Sequence, residues 1–219
     1  MTVVAIDGPT GSGKSTVARR VADRLGYLYL DTGAMYRAVG LLATEAGVRL
    51  EDEAAVVPIA AAAGLRFGGD GRLFAGDRDV SGLIRSLEMG TAASVVSVLP
   101  GVRRLLVERQ RTLGWGADIV MEGRDIGTNV FPDAEVKVFL TARPDVRAER
   151  RAEELCGKGE EVDVDEVLEA LIERDRRDSE REVAPLRKAA DAVEVDTSAL
   201  TLNEVVDAVV AVVGEKVGS

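Results

Sequence analysis

Short apolar segments alternate along the chain with longer segments in which apolar positions have a helical spacing. The short segments are typical of buried strands and cover 3–6, 27–30, 118–121, 136–140 and 192–195. The helical pattern covers 15–25 and roughly 34–46, 100–114, 144–156, 163–182 and 202–213. Strands that alternate with helices predict an α/β fold with right-handed crossovers and helices on both faces of a parallel sheet. We therefore expect one five-stranded parallel sheet.

One stretch interrupts this alternation. Residues 65–67 and 72–76 flank a glycine-rich turn and predict an antiparallel hairpin, which a helix near 83–95 follows. An antiparallel pair inside an alternating chain indicates a small inserted subdomain at about 60–95. Because the sequence has no long linker, we expect a single domain over 1–219 that carries this insert.

Polar residues follow most of the predicted strands. The strand at 27–30 ends at Asp31-Thr32-Gly33, and the strand at 118–121 ends at Glu122-Gly123-Arg124-Asp125. Ligands of such sheets bind beyond the carboxyl ends of the strands, so we expect these residues to border the functional site.

The most specific motif lies between the first predicted strand and the first predicted helix. Its sequence, Gly-Pro-Thr-Gly-Ser-Gly-Lys-Ser at 8–15, matches the P-loop pattern G-x-x-x-x-G-K-[ST]. In a strand–loop–helix context, backbone N–H groups and the helix N-terminus converge on a phosphate chain, which a chance glycine-rich turn would not achieve. The motif predicts that the chain binds ATP with Mg²⁺. The expected binding residues are Gly8, Pro9, Thr10, Gly11, Ser12, Gly13, Lys14, Ser15 and Thr16.

Two residues of this motif have specific expected roles. Lys14 is expected to reach the β- and γ-phosphates of the nucleotide. The hydroxyl group of Ser15 is expected to lie on or near the Mg²⁺ ion.

Composition narrows the possible chemistry. Hydrophobic residues make up 46% and charged residues 30%, as in globular proteins, and the net charge of −10 argues against a nucleic-acid partner. The single cysteine excludes a disulfide framework, and the absence of histidine excludes Ser-His triads, His-liganded zinc and His general bases. Carboxylates, arginines, backbone amides and a metal ion remain, and phosphoryl transfer needs little else.

The sequence also gives expectations about location and partners. No segment approaches 18 consecutive apolar residues, and the N-terminus has no signal-peptide pattern. We therefore expect a cytoplasmic protein without a membrane or nucleic-acid partner, and we expect it to be a monomer.

Several classes of P-loop protein lack support in this sequence. The guanine-reading element N-K-x-D of GTPases is absent, and the chain is short for a motor or an ABC-type ATPase. A small chain with a P-loop, a predicted insert and many arginines favours a kinase of a small phosphorylated or polar substrate. Several cations are needed to hold the phosphates of both substrates.

Long sequence blocks beyond the P-loop carry a family resemblance. They are Asp31–Arg37, Asp79–Ser81 with Ile84-Arg85, Ala92–Ser94, Gly123–Thr128 with Val130–Ala134, and Glu173–Asp178 with Ala184–Leu186. In content and order, over nearly the whole chain, these blocks resemble the bacterial cytidylate (CMP) kinases. The resemblance implies a nucleoside-monophosphate kinase fold with a CMP-binding insert and a short helical lid at about 143–160. The implied reaction phosphorylates CMP and dCMP with ATP.

The resemblance implies that three arginines hold the acceptor phosphate, namely Arg37, Arg124 and Arg181. Guanidinium groups match the geometry of phosphate and stabilise charge as it develops. Arg124 and Arg181, together with Lys14, are therefore the implied catalytic residues. Composition alone would favour three solvated surface arginines.

The resemblance also implies a pocket for the base. Cytosine presents an amino donor at N4 and an acceptor at N3, so a pocket that selects it over uracil needs both kinds of partner. Ser94, Arg103 and Asp125 offer this mixed set, and the resemblance implies that they contact the base. Each one alone would be an ordinary helix or loop residue.

The remaining implied substrate contacts lie on two predicted helices. Arg174 and Asp178 are implied at the sugar, although a surface ion pair between positions i and i+4 is the alternative explanation. Thr32 and Tyr36 are implied beside the acceptor site, and a buried tyrosine with a satisfied hydroxyl is the alternative for Tyr36.

Four arginines crowd the segment implied as the lid, at positions 143, 147, 150 and 151. A charge-laced solvated helix would explain this pattern. The lid interpretation instead brings an arginine to the transferring phosphoryl group, and the sequence leaves open which one.

The chain departs from the family pattern at a few positions. Thr32 stands where the family often has Ser, and Glu122 where it often has Asp. Lys14-Ser15-Thr16 replaces Lys-Gly-Thr, so the hydroxyl on the metal side stays open between Ser15 and Thr16. The alternative functions are a pyrimidine monophosphate kinase with UMP as its main substrate and a non-enzymatic P-loop switch.

Overall fold

The computed structural model describes residues 1–68, 71–157, 159 and 161–218. Its internal contacts group the chain into two compact units, one formed by Met1–Tyr29 with Ala117–Ser219 and the other by Leu30–Gly116. The insert predicted at about 60–95 lies inside the second unit, which extends beyond it at both ends. The single-domain organisation over 1–219 and the lid stay predictions.

Eight strands and eight α-helices are defined within the described ranges. The strands are β1 Val3–Asp7, β2 Leu28–Asp31, β3 Leu65–Phe67, β4 Leu73–Ala75, β5 Arg78–Asp79, β6 Ile119–Gly123, β7 Val136–Thr141 and β8 Val193–Asp196. The helices are α1 Lys14–Leu25, α2 Thr32–Glu45, α3 Glu53–Ala62, α4 Leu87–Val96, α5 Pro100–Gly114, α6 Pro144–Cys156, α7 Val164–Glu180 and α8 Leu202–Val217. A 3₁₀ turn covers Leu83–Arg85 and a π-helical turn covers Ile126–Val130.

Five strands form one sheet in the order β2-β6-β1-β7-β8. β1 pairs in parallel with β6 and β7, and β7 pairs in parallel with β8, so that Val4 lies between Val120 and Val136. Apolar side chains on one face of these strands pack against α1 and α8, where Val21 and Val209 are fully buried. The five-stranded parallel sheet predicted from the sequence is confirmed, and its central strand leads directly into the glycine-rich loop.

The second unit contains a small antiparallel sheet in the order β3-β4-β5. The predicted hairpin is β3 with β4, in which Leu65 lies opposite Ala75. Gly69 and Asp70 of its turn lie outside the described residues. The sequence does not predict β5, because a strand of two residues carries no periodic signal.

Two helices of the second unit differ from the sequence prediction. The single helix predicted near 83–95 is divided, because Ser86 has an extended backbone and its side chain caps α4 by accepting from Met89 N at 3.2 Å. Helix α3 was not predicted, since its residues are apolar or alanine around most of the helix and show no clear helical period. Asp52 caps it by accepting from Ala55 N at 3.2 Å.

Helices α2 and α4 approach each other closely at Gly40. A Cβ atom added to Gly40 would lie 2.8 Å from Cβ of Ala92, which is closer than real Cβ contacts. The packing of these two helices therefore requires glycine at this position. It also fixes α4, which carries Ser94.

The single tryptophan and the single cysteine of the chain are both exposed. Trp115 follows α5 in the second unit and is 81% exposed, and Cys156 ends α6 in the first unit. Neither packs in a core.

No single helix in the described part of the chain is long and apolar enough to cross a membrane. One bent pair, Glu88–Val96 with Pro100–Gly114, meets the length and composition criteria, and its two helices differ in direction by 100°.

Candidate active site

The glycine-rich loop joins β1 to α1, and glycines determine its shape. Gly8, Gly11 and Gly13 have φ angles of 153°, 76° and 86°, which side chains of L-residues rarely allow. At Gly8 a Cβ atom would lie only 2.0 Å from the carbonyl oxygen of Leu140 in β7. Lys14 then begins α1. The loop therefore has the strand–loop–helix geometry that a phosphate-binding loop needs.

Lys14 is buried at the start of α1. Its ammonium group donates to the carbonyl oxygen of Pro9 at 2.5 Å and to the hydroxyl of Ser12 at 3.4 Å. Burial, followed by the positive charge of Arg124, lowers the pKa of Lys14 well below its ordinary value. A phosphate chain in the loop would favour the charged form of this side chain.

Ser15 and Thr16, the two candidates for the hydroxyl on the metal side, follow Lys14 in the first turn of α1. Both residues are exposed. The choice between their hydroxyls therefore stays open.

Asp7 is a buried carboxylate at the end of β1. It accepts from the backbone N–H groups of Ile126 and Gly127, each at 2.8 Å. Burial raises the pKa of Asp7 from 3.8 to about 6, although these two hydrogen bonds act in the opposite direction. Asp7 therefore anchors the π-helical turn that directly follows residues 124–125.

Arg124 connects the end of β6 to the loop and to α7. Its Nη2 donates to the hydroxyl of Thr10 at 2.7 Å, and its Nε donates to Oδ2 of Asp178 at 3.1 Å. Asp178 is buried, which a surface ion pair would not predict. The structure thus brings together a predicted phosphate-binding arginine, a predicted sugar-binding aspartate and a loop residue.

Arg181 and Asp125, predicted to bind the phosphate and the base, are close neighbours. Nη2 of Arg181 lies 3.5 Å from Oδ1 of Asp125, and their side chains are 6% and 8% exposed. Nε of Arg181 donates to the carbonyl oxygen of Ala184 at 2.6 Å, and Ala184 has a left-handed φ of 49°, which is uncommon for an L-residue. Asp125 accepts from Nδ2 of Asn129 at 3.1 Å. Arg174 is half-buried on α7.

The other predicted substrate residues belong to the second unit. Thr32 and Tyr36 are buried on α2. Arg37 on the same helix pairs with Asp31 at 2.7 Å, and Asp31 also caps α2 by accepting from Ala34 N at 2.9 Å.

Arg103 and Ser94 complete the predicted set in the second unit. Arg103 on α5 is only 3% exposed, donates to the carbonyl oxygen of Ser97 at 3.2 Å and lies 5.8 Å from the ring centre of Tyr36. Ser94 is half-buried on α4, and its carbonyl oxygen accepts from the Ser97 hydroxyl at 3.0 Å. The second unit therefore brings Tyr36 and Arg103 together.

The arginines of the predicted lid have unequal environments. Arg147 is buried and donates to the carbonyl oxygens of Ala142 at 2.9 Å and of Thr10 at 3.0 Å. Arg150 donates to a threonine, and Arg151 pairs with a glutamate on the same helix. The interpretation of α6 as a solvated charged helix is therefore wrong for Arg147.

Three aspartates border these residues, Asp7, Asp31 and Asp175. Asp31 follows a predicted strand and is expected near the site for that reason, and Asp7 ends β1 in the same way, so the same signal in the sequence could have identified it. Asp175 accepts from Thr10 N at 3.3 Å, and nothing in the charged sequence of α7 distinguishes it.

Sequence comparison identifies the protein family of the chain. The family model described as cytidylate kinase matches residues 4–215. The chain belongs to the cytidylate kinase family. Cytidylate kinase from Methylococcus capsulatus is 48% identical over 213 residues, which are 96% of each chain. Cytidylate kinase from Geobacillus thermodenitrificans is 47% identical over 218 residues, 98% of this chain and 97% of its own.

Membership of the cytidylate kinase family makes the chain a phosphotransferase of the nucleoside-monophosphate kinase class, with ATP as co-substrate. It disfavours both a kinase whose main substrate is UMP and a non-enzymatic P-loop switch.

Solved structures share the fold of this family member. A shikimate kinase from Bacteroides thetaiotaomicron aligns over 100% of this chain and 99% of its own, with a TM-score of 0.51 at 16% identity. An uncharacterized protein from Eubacterium ventriosum gives a TM-score of 0.51 at 13% identity. The likeness confirms the predicted P-loop kinase fold.

Proposed function

We propose that the chain transfers the γ-phosphoryl group of ATP to the phosphate of CMP or dCMP, which yields ADP and the corresponding diphosphate. The observation that carries this proposal is the bond between Arg124 and Thr10 of the phosphate loop, in a chain of the cytidylate kinase family. The bond places an arginine proposed for the acceptor phosphate beside the loop proposed for the triphosphate. A phosphoryl transfer between these two groups requires them to lie close together.

On the ATP side, the loop 8–16 supplies backbone N–H groups and Lys14 supplies a positive charge for the β- and γ-phosphates. The hydroxyl of Ser15, or that of Thr16, is a hard oxygen ligand that fits Mg²⁺, and both residues are exposed at the start of α1. An Mg²⁺ ion held there would supply positive charge that offsets the charge of the ATP phosphates.

On the acceptor side, each arginine proposed for the phosphate has an aspartate partner in its own unit. The pairs are Arg37 with Asp31, Arg124 with Asp178, and Arg181 with Asp125. These carboxylates orient the guanidinium groups before the substrate binds, so less entropy is lost on binding. A phosphate oxygen of the monophosphate is already anionic, and the transfer therefore needs no general base.

The proposed contacts with the nucleoside complete the acceptor side. Ser94, Arg103 and Asp125 contact the cytosine base, and Arg174 and Asp178 contact the sugar. Thr32 and Tyr36 lie beside the acceptor phosphate in this proposal. Arg103 and Asp125 are buried, and buried polar groups penalise a base that leaves them unpaired.

An ADP-release assay with CMP, dCMP, UMP and AMP tests the proposal. We expect fast ADP release only with CMP and dCMP. Release of ADP at the same rate without any monophosphate would indicate an ATPase switch instead, and fastest release with UMP would overturn the substrate assignment.

The variant Lys14→Met tests the loop in the same assay. We expect kcat to fall by about 10²-fold or more, since Lys14 stabilises charge on the transferring group. Lys188→Met, which removes an exposed lysine paired with Glu194, is the control and should retain full activity.

We also propose that the chain acts in the cytoplasm, because ATP is the phosphoryl donor. We propose a monomer as its functional state.

A further inference from the structure

Thr10, the third residue of the phosphate loop, is held from outside the loop by α6 and α7. Its backbone N–H donates to Oδ1 of Asp175 at 3.3 Å, and its carbonyl oxygen accepts from Nη1 of Arg147 at 3.0 Å. Arg147 and Asp175 also form an ion pair with each other. A single ion pair therefore binds both backbone polar groups of one loop residue.

Arg147 is itself fixed in place. Its side chain is only 5% exposed, and its Nε donates to the carbonyl oxygen of Ala142 at 2.9 Å. Its Cβ lies 3.2 Å from the position that a Cβ atom on Gly11 would occupy, so the arginine packs directly on the loop. To reach a phosphoryl group, Arg147 would have to give up these contacts.

The loop needs these contacts because its glycines give the backbone high conformational freedom. Thr10 lies between Gly8 and Gly11, which both have positive φ angles. Backbone N–H groups bind phosphate well only when they are oriented in advance. A side chain that binds Thr10 therefore fixes the backbone conformation of the loop between these glycines.

We propose that Arg147 is a positioning residue of the phosphate loop, with Asp175 as its partner, and is not the arginine that contacts the transferring phosphoryl group. The inference rests on the proposed function, because it takes ATP as the phosphoryl donor. Asp178, which binds Arg124, lies three residues after Asp175 on α7. One helix thus positions both the loop and the arginine proposed for the acceptor phosphate.

ADP is the probe that separates the two roles, since it occupies the loop but lacks the transferring phosphoryl group. We would measure its Kd by calorimetry, without CMP, for Arg147→Met, Asp175→Asn and the double variant. Arg147→Met should weaken ADP binding by about tenfold or more, because charged hydrogen bonds that hold the loop are lost. Asp175→Asn should also weaken it, and the double variant should bind no more weakly than Arg147→Met, because both residues act on Thr10.

Arg176→Met and Glu173→Gln are matched controls on α7. They break an exposed ion pair on the same helix and should bind ADP as the unchanged chain does. If either control weakens ADP binding as much as the test variants, the effect belongs to the helix as a whole and the proposal is wrong.

Two other results would overturn the proposal. In one, Arg147→Met binds ADP normally while its kcat falls, which would assign Arg147 to the transferring group. In the other, Asp175→Asn binds ADP normally. If Arg147→Met does not fold, Arg147→Lys and Asp175→Asn carry the same comparison. A chain that binds ADP but does not phosphorylate CMP would contradict the proposed function and leave the ADP comparison interpretable.

Discussion

Asp125 is the residue on which we expect the choice of base to depend. Its carboxylate is buried beside Arg181, so it has little water to replace a lost partner. The N4 amino group of cytosine can donate to a carboxylate, whereas O4 of uracil would place an acceptor against it. An unmade buried hydrogen bond costs roughly 1–3 kcal/mol. We predict that Asp125→Ala lowers kcat/KM for CMP sharply and changes the value for UMP far less.

The measurement is the ratio of kcat/KM for CMP to kcat/KM for UMP. Asp133→Ala, an exposed aspartate a few residues further along, is the control and should leave the ratio unchanged. An unchanged ratio in Asp125→Ala would mean that Asp125 is only a structural carboxylate of its loop.

Asp7 makes stability depend on pH in a direction opposite to that of most carboxylates. Its pKa is raised from 3.8 to about 6, so between these values the folded state holds a proton that the unfolded chain has lost. The contribution of Asp7 to stability is therefore greatest at low pH and decreases as pH rises through the folded pKa.

The comparison of Asp7→Asn with the unchanged chain tests this sign. The free energy of unfolding of the variant should rise relative to that of the unchanged chain by roughly 1 kcal/mol from about pH 5 to about pH 7.5. The variant also loses a carboxylate oxygen that faces two N–H groups, which lowers its free energy of unfolding by an amount that does not depend on pH. Only the change of the difference with pH therefore tests the prediction. A difference that does not vary with pH would contradict the raised pKa.

At the scale of helices, we predict that substituting glycine by alanine has opposite effects on stability at two positions. Gly40→Ala places a Cβ atom 2.8 Å from Cβ of Ala92 and should destabilise the protein by about 1–3 kcal/mol, because α2 and α4 must move apart. Gly214→Ala lies in α8 with nothing within 4 Å and should stabilise it by about 0.5–1 kcal/mol through higher helix propensity. Chemical denaturation measures both, and equal effects would contradict the close packing of α2 on α4.

The elements that the sequence predicted are those with a regular pattern of their own. The apolar runs of the five main strands and the amphipathic helices α1 and α7 carry their period in the sequence, and the P-loop carries a fixed motif. Helix α3 and strand β5 have no such period. They depend on packing within the second unit, which no local pattern reveals.

The residues of the candidate site divide in the same way, into those with a signal in the sequence and those without one. Arg124 and Asp125 follow a strand, a position that marks them in the sequence. Arg147 is one of several arginines on α6, and its contact with Thr10 joins residues 137 positions apart. Only the folded chain shows which arginine faces the loop.

For the whole molecule, charge and composition lead to a prediction about self-association. The net charge of −10 makes copies of the chain repel one another. We predict a single monomeric species in sedimentation velocity, with a mass that does not change over about a tenfold range of concentration at low ionic strength. A mass that rises with concentration would contradict the proposed monomer.

Trp115 and Cys156 give the chain a built-in spectroscopic ruler. Each is the single residue of its type, each is exposed, and they belong to different units. The indole is an energy-transfer donor, and a thiol-reactive dye on Cys156 is an acceptor at one defined point. The transfer efficiency, recorded with and without ADP and CMP, would report changes in the separation of the two units in a chain with no substituted residue.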